Sequence, residues 1–256
     1  MGRIITLTTD FGLKDYYVGA MKGVILSINP DAILTDITHE IPPHSIFDSA
    51  FTLMNFYRYF PLGTIHVVVV DPGVGSKRKP IAVEADGNFF VGPDNGLFTF
   101  VYRLSKRYRA YEITDSKYVL SRISNTFHGR DIFAPAAAHL SLGVPVEDLG
   151  KKVGKPVTLE IKEPVVRGEE IIGEFIHVDS FGNLVSNIPS NLIKGKSRIH
   201  IGRRVVEGVS KSYSDVSKGE LLAIIGSAGF LEISMNQGRA SDVIDKNKAL
   251  RVKNEE

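Results

Sequence analysis

The 256-residue chain has no cysteine. That absence excludes disulfides, thiolate nucleophiles, iron–sulfur clusters and the usual structural zinc cages, and it fits a reducing interior or a hot habitat. Charge of one sign is also scarce in excess: 31 Lys and Arg against 29 Asp and Glu leave a formal net charge of +2, with no long basic block to hold nucleic acid. Small neutral or zwitterionic partners are favoured. Long hydrophobic runs are missing too, since none approaches the roughly 18 residues that span a bilayer. The chain enters a strand-like stretch at Ile4 to Thr8 with no leader pattern before it. The expectation is a cytoplasmic protein that engages neither membrane nor nucleic acid. Met1, Gly2 and Thr6 meet a loose myristoylation pattern, but a lipid there would sit beside a strand that reads as buried.

Hydrophobic residues at 43% supply a real core, and the length suits one large domain or two modest ones. Up to about residue 150 strand-like and helix-like stretches alternate. Ile4 to Thr8 reads as a strand, Tyr16 to Ile28 as a helix, Ala32 to Ile37 as a strand and Ser45 to Phe60 as a helix. Ile65 to Val70 is continuously apolar, as a central strand buried on both faces requires, and Asp71-Pro72-Gly73 turns the chain after it. Ligands of open α/β sheets collect at the carboxyl ends of strands, which places Asp10 and Asp71 at one candidate crevice. From Gly150 the pattern changes to short strand-like runs, Ile171 to Val178, Leu184 to Ile188, Arg198 to Ile201 and Leu221 to Ile225. The predicted fold class is α/β: an N-terminal Rossmann-like α/β domain over residues 1–155 and a C-terminal antiparallel β-sheet or barrel domain over 156–256. The charged tail from Asp245 to Glu256 is expected to fray.

Two motifs mislead. His39-Glu40-Ile41-Pro42-Pro43-His44 matches HExxH, whose zinc chemistry needs both histidines on one helical turn, and consecutive prolines forbid that turn. Gly73-Val74-Gly75-Ser76-Lys77 lacks the spacing of a phosphate-binding loop and reads as a tight turn. His66 in an apolar strand and His139 in an alanine-rich helix read as core or surface residues.

VDPGVGSKR at Val70 to Arg78 and TFHGRD at Thr126 to Asp131 supply a carboxylate, an arginine and a histidine that can bind and deprotonate water without a metal. Spacing alone also allows Asp71 to cap a turn while Arg78 pairs with Asp131 at the surface. These segments, with TLTTDFG at Thr6 to Gly12, VGPDNG at Val91 to Gly96, VDSFGN at Val178 to Asn183 and GSAGFLEI at Gly226 to Ile233, resemble one family in order along nearly the whole chain. It is the S-adenosyl-L-methionine hydroxide adenosyltransferases, hydrolytic relatives of the fluorinase and chlorinase enzymes. The resemblance implies attack of water or hydroxide on the ribose 5′-carbon of S-adenosylmethionine, giving adenosine and L-methionine, with no cofactor and no metal. It also implies a homotrimer whose sites lie between one subunit's N-domain and a neighbour's C-domain.

By the same resemblance Asp71, Arg78 and His128 hold the water, and Asp10 accepts hydrogen bonds from the ribose hydroxyls. Asp179 pairs with the methionine ammonium, Ser227 meets its carboxylate, Asn183 reads the adenine edge, and Phe181 and Tyr213 offer aromatic faces to the base. In the halogenating branch the positions of Asp71 and Gly129 look like tyrosine and, in fluorinases, serine. An anionic Asp71 repels a halide, which favours water. Ala228 departs from relatives that carry arginine beside the serine. Three other readings stay open: a halide-using adenosyltransferase, a metal-dependent hydrolase built on Asp71, Asp94 and His66, and a non-catalytic nucleoside or S-adenosylmethionine sensor.

Overall fold

Strand β1 (Ile4–Thr9) is followed by helix α1 (Tyr17–Ile28), β2 (Ile33–Thr38), α2 (Ile46–Phe56) and β3 (Ile65–Val69). The chain continues through β4 (Pro80–Ala85), β5 (Asn88–Pro93), α3 (Thr99–Leu104), β6 (Tyr108–Ile113), α4 (Ala134–Ser141) and β7 (Gly150–Lys152). The computed structural model describes residues 3–255, and the chain divides into one unit ending at Leu159 and a second beginning at Glu160. Gly2, on which the acylation pattern rests, lies outside the described residues.

The first unit is built on one seven-stranded sheet in the order β2-β1-β3-β5-β4-β6-β7. Pairs β1–β2, β1–β3 and β3–β5 are parallel, as the alternating sequence predicts. From β4 onward the pairs are antiparallel, which that alternation did not anticipate. The cause is local: Asp86 (φ 47°) and Gly87 (φ 87°) form a two-residue turn with both residues left-handed, the geometry that folds β4 and β5 into a hairpin.

β3 is buried throughout, with Val67 and Val68 fully inaccessible. Val67 and Val69 face a core shared with Met21 and Ile25 of α1 and with the alanines of α4. Val68 faces the opposite core, with Leu53 of α2 and Val101 of α3. Each such aliphatic side chain contributes roughly 1.5–3 kcal/mol. The Ser45 hydroxyl caps α2 by accepting from the Asp48 N–H, and the Asp48 carboxylate suits the helix's positive end. β1, β3 and β5 run parallel, so Asp10, Asp71 and Asp94, each just past a strand's end, share one sheet edge. The register pairs Thr9 with Val69, which brings the Asp10 and Asp71 turns side by side.

The second unit contains β8 (Val165–Arg167), β9 (Glu170–Gly173), β10 (Phe175–Val178), β11 (Leu184–Pro189), β12 (Lys196–Ile201), β13 (Arg204–Glu207), β14 (Leu221–Ile225), β15 (Phe230–Met235) and β16 (Leu250–Glu255). They form two antiparallel sheets, β10-β11-β15-β14 and β13-β12-β16-β9-β8, around one core that includes Phe175, Leu184, Ile199, Leu231, Ile233 and Val252. Ile171 to Val178 reads as one strand in sequence but is two strands in different sheets. At Gly173 a Cβ would stand 2.5 Å from Ile188, and next to it the Glu174 N–H donates to the Asn187 side-chain Oδ1 while the Glu174 carbonyl accepts the Asn187 N–H, so the chain passes from sheet to sheet there. Within the described residues the tail does not fray either: Leu250 and Val252 are fully buried and β16 lies between β12 and β9. Among the described residues, no helix is long and apolar enough to cross a membrane.

Candidate active site

Asp71 stands two residues past β3, and the chain returns to it within seven residues. Val74 N–H bonds the Asp71 carbonyl at 3.2 Å and Ser76 N–H the Gly73 carbonyl at 3.1 Å. Gly75 (φ 75°) closes this turn where a Cβ would sit 2.4 Å from the Asn125 carbonyl oxygen, so glycine is required. The turn lays Arg78 over Asp71. Its Nε donates to both carboxylate oxygens at 2.9 Å, and its Nη2 donates to Oδ2 as well. The two side chains are only 9% and 5% exposed, and the guanidinium lies 5.3 Å from the Phe133 ring centroid.

His128 enters from the other motif, immediately before a π-helical turn at Gly129–Phe133 that leads into α4. Such turns re-aim side chains at functional sites. Its Nδ1 lies 2.6 Å from Arg78 Nη2. A guanidinium only donates, so Nδ1 accepts and the neutral ring carries its proton on Nε2. Burial, then the Arg78 charge, pushes the His128 pKa below its ordinary value, with Asp71 and Asp131 opposing. Arg78 Nη1 is buried with no hydrogen-bond partner. The surface pairing of Arg78 with Asp131 is not what forms: Asp131 is fully buried and takes Arg130 Nε at 2.6 Å and Ser124 N–H at 2.8 Å.

Asp10 is partly exposed at the same sheet edge, with Oδ2 accepting from the His44 N–H at 2.9 Å. The HExxH segment is a turn, as its prolines require, and His39 and His44 do not share a helix face. His66 is fully buried beside Phe56, Phe60 and Phe90, bonded to Thr6 Oγ1 at 2.8 Å, and burial pushes its pKa down to about 3. Asp94 accepts from Val157 N–H at 2.8 Å, and burial raises its pKa. Asp71, Asp94 and His66 therefore do not assemble into a ligand set, and among the described residues no group of three His, Asp or Glu side chains is arranged to hold a metal.

In the second unit Phe181, Asn183 and Tyr213 line one cavity of about 540 Å³ together with Met235, Gln237 and Arg239. That volume lies in the range of small-molecule sites. Asn183 is buried and fixed by Asp179, whose Oδ1 accepts its N–H and whose Oδ2 accepts its Nδ2, both at 2.8 Å. Phe181 is 74% exposed. Ser227 does not line the cavity; it is exposed on the β14–β15 turn.

Glu232 was not singled out by the sequence. In β15 it is cross-paired with Val185, itself opposite His177. Only 8% exposed, it has its pKa raised by burial and then by the Asp179 charge, while His177 opposes. Its carboxylate occupies the space beside Gly226, where a Cβ would overlap it at 1.7 Å. Burial, with the charges of Glu232 and Asp179, raises the Tyr213 pKa, placing all three groups in one neighbourhood. The glycine at 226 was the available signal, because it makes room for the carboxylate.

The model of the SAM hydroxide adenosyltransferase N-terminal domain matches residues 5–150, and that of the C-terminal domain matches residues 173–253. The chain belongs to the SAM hydroxide adenosyltransferase family. It is 39% identical over 259 residues to an (R)-S-adenosyl-L-methionine hydrolase of Methanocaldococcus jannaschii, covering 94% of this chain and 92% of that one. A Thermus thermophilus protein of the same name is 37% identical, with 98% and 99% covered. An uncharacterized conserved protein from Thermotoga maritima, known by crystal structure, shares the fold at a TM-score of 0.90 and 40% identity, with 97% and 99% covered. Gly129 packs where a Cβ would meet Met21 at 3.2 Å and Phe127 at 3.3 Å, leaving little space for a larger residue.

Proposed function

We propose that this protein hydrolyses S-adenosyl-L-methionine by in-line attack of a water-derived hydroxide on the ribose 5′-carbon, giving adenosine, L-methionine and a proton. The observation that carries this reading is Arg78: a guanidinium with its side chain 91% buried that saturates Asp71, donates to His128 and keeps Nη1 free of protein partners. The His128 Nε2–H is the donor for one small oxygen nucleophile, the buried Arg78 charge biases that oxygen toward hydroxide, and Asp71 holds the guanidinium in place. Fixed positive charge in a poorly hydrated site favours hydroxide over water. With Nδ1 engaged and Nε2 protonated, His128 acts as a donor, and the water's proton leaves to solvent.

The substrate sulfonium and the hydroxide lose their charges as the oxygen–carbon bond forms and the carbon–sulfur bond breaks. A dry, aligned site therefore helps the transition state more than the ions that precede it. Residues 1–155 carry the nucleophile and, through Asp10, the ribose. Residues 156–256 take the adenine between Phe181 and Tyr213 against Asn183, the ammonium at Asp179 and the carboxylate at Ser227. The working assembly is a cytoplasmic homotrimer that pairs one subunit's first unit with a neighbour's second, and neither metal nor cofactor takes part.

Purified protein incubated with S-adenosylmethionine is expected to release adenosine and methionine, unaffected by chelator, and Asp71→Ala or His128→Ala is expected to abolish release. Wild-type protein that binds the substrate and releases neither product overturns the assignment in favour of a sensor.

A further inference from the structure

We infer that the His39-to-His44 segment, the failed zinc motif, is a clasp that sets the orientation of Asp10 and thereby the preference for an intact ribose. This rests on the reading of Asp10 as the ribose ligand. The segment follows β2 and is sewn to the end of β1 by backbone bonds, Gly12 N–H to the His39 carbonyl at 2.7 Å and Ile41 N–H to the Thr9 carbonyl at 3.3 Å. The His39 ring, 4% exposed, fills the space beneath. Its Nδ1 lies 2.8 Å from Thr9 Oγ1, and its Nε2 lies 3.1 Å from Asp36 Oδ1, while Lys22 of α1 holds the other oxygen, Oδ2, at 2.5 Å.

Thr9 Oγ1 also accepts the Phe11 N–H at 3.2 Å, so one hydroxyl ties the His39 ring to the backbone after Asp10. The residues on both sides of Asp10 are thereby fixed. Asp10 itself is fixed by the His44 N–H at 2.9 Å. His44 adopts φ 67°, a left-handed conformation that a residue with a Cβ takes only under constraint. The constraint is visible: Ser45 N–H bonds the Pro42 carbonyl at 2.9 Å, Ile46 N–H the His44 carbonyl at 3.0 Å, and Ser45 caps α2. Pro42-Pro43 thus stiffens a turn whose end points one N–H at one carboxylate oxygen. His39 and His44 are positioning residues that act through Asp10.

The test is calorimetric binding of adenosine and of 2′-deoxyadenosine, which needs no turnover and so fails independently of the hydrolase assignment. A hydrogen bond to a charged acceptor corresponds to roughly 10- to 100-fold in affinity, so wild-type protein should prefer adenosine by that factor. Asp10→Ala should erase the preference. His39→Ala should reduce it to about threefold or less, weakening adenosine more than 2′-deoxyadenosine, which has only its 3′-hydroxyl to offer Asp10, and should have no effect on the preference in the Asp10→Ala background. His44→Gly, which keeps the N–H and adopts the same φ at no steric cost, should leave the preference at its wild-type value. Retention of the wild-type preference by His39→Ala, or its equal weakening of both nucleosides, overturns the clasp. A wild-type protein indifferent to the 2′-hydroxyl overturns the reading of Asp10 and the clasp with it.

Discussion

Replacing Asp71 with alanine strands the Arg78 guanidinium in a site where the side chain is 91% buried and Nη1 already lacks a partner. Of the protein acceptors bonded to it, only His128 Nδ1 would remain. Breaking a buried pair from one side costs about 3–5 kcal/mol, because the leftover charge is neither hydrated nor paired. Arg78→Ala leaves the carboxylate in the same position and should cost a similar amount. The double variant removes both charges and retains mainly the packing loss against Phe133, so it should cost less than either single change plus the other. The coupling should reach about 2 kcal/mol or more, well above the roughly 0.5 kcal/mol within which independent sites add. Denaturant unfolding of the four proteins at one pH measures it. Additive losses within that margin would mean that the pair is solvated, and the argument for a dry, positively biased site would fail.

The pKa of His128 is pushed below the ordinary value of about 6.5, and the neutral ring is the form that accepts from Arg78. Activity is therefore lost as pH falls through that lowered pKa and is insensitive to this group above it; a kcat/KM profile with an acid limb above 6.5 contradicts this. His66, with a pKa near 3 when folded, binds fewer protons than the unfolded chain below pH 6.5, so its stabilisation is present above that pH and declines as pH falls, by about 2 kcal/mol at pH 5. His66→Gln should lose correspondingly less stability between pH 7 and 5 in urea unfolding. Gly129→Ser should cost about 1–3 kcal/mol by crowding Met21 and Phe127 and should yield no 5′-halogenated adenosine in chloride or fluoride, because Asp71 remains. Glu232→Gln, next to Asp179, should raise KM for S-adenosylmethionine about tenfold with little change in kcat; an unchanged KM removes Glu232 from the ammonium environment.

The central strand was legible because Ile65 to Val70 is apolar on both faces, and that reading also put Asp71 at a strand end. The reversal at β4 was not, although Asp86-Gly87 is a hairpin signal, because the preceding alternation favoured crossovers. Arg78 could face Asp71 or Asp131 on spacing alone; the left-handed Gly75 turn chooses Asp71. Glu232 escaped notice because a glutamate in an alternating strand reads as solvent-facing. Only cross-strand pairing reveals that its face is covered. That Asp179 also fixes Asn183, through bonds to its N–H and Nδ2 within one hairpin turn, is visible only in the folded turn.

The most direct measurement is mass spectrometry of the products formed in water enriched with ¹⁸O. Attack by a nucleophile held at Arg78 and His128 predicts one heavy oxygen on the 5′-hydroxyl of adenosine and none on methionine. Unlabelled adenosine, or label on methionine, would contradict hydroxide delivery to the 5′-carbon.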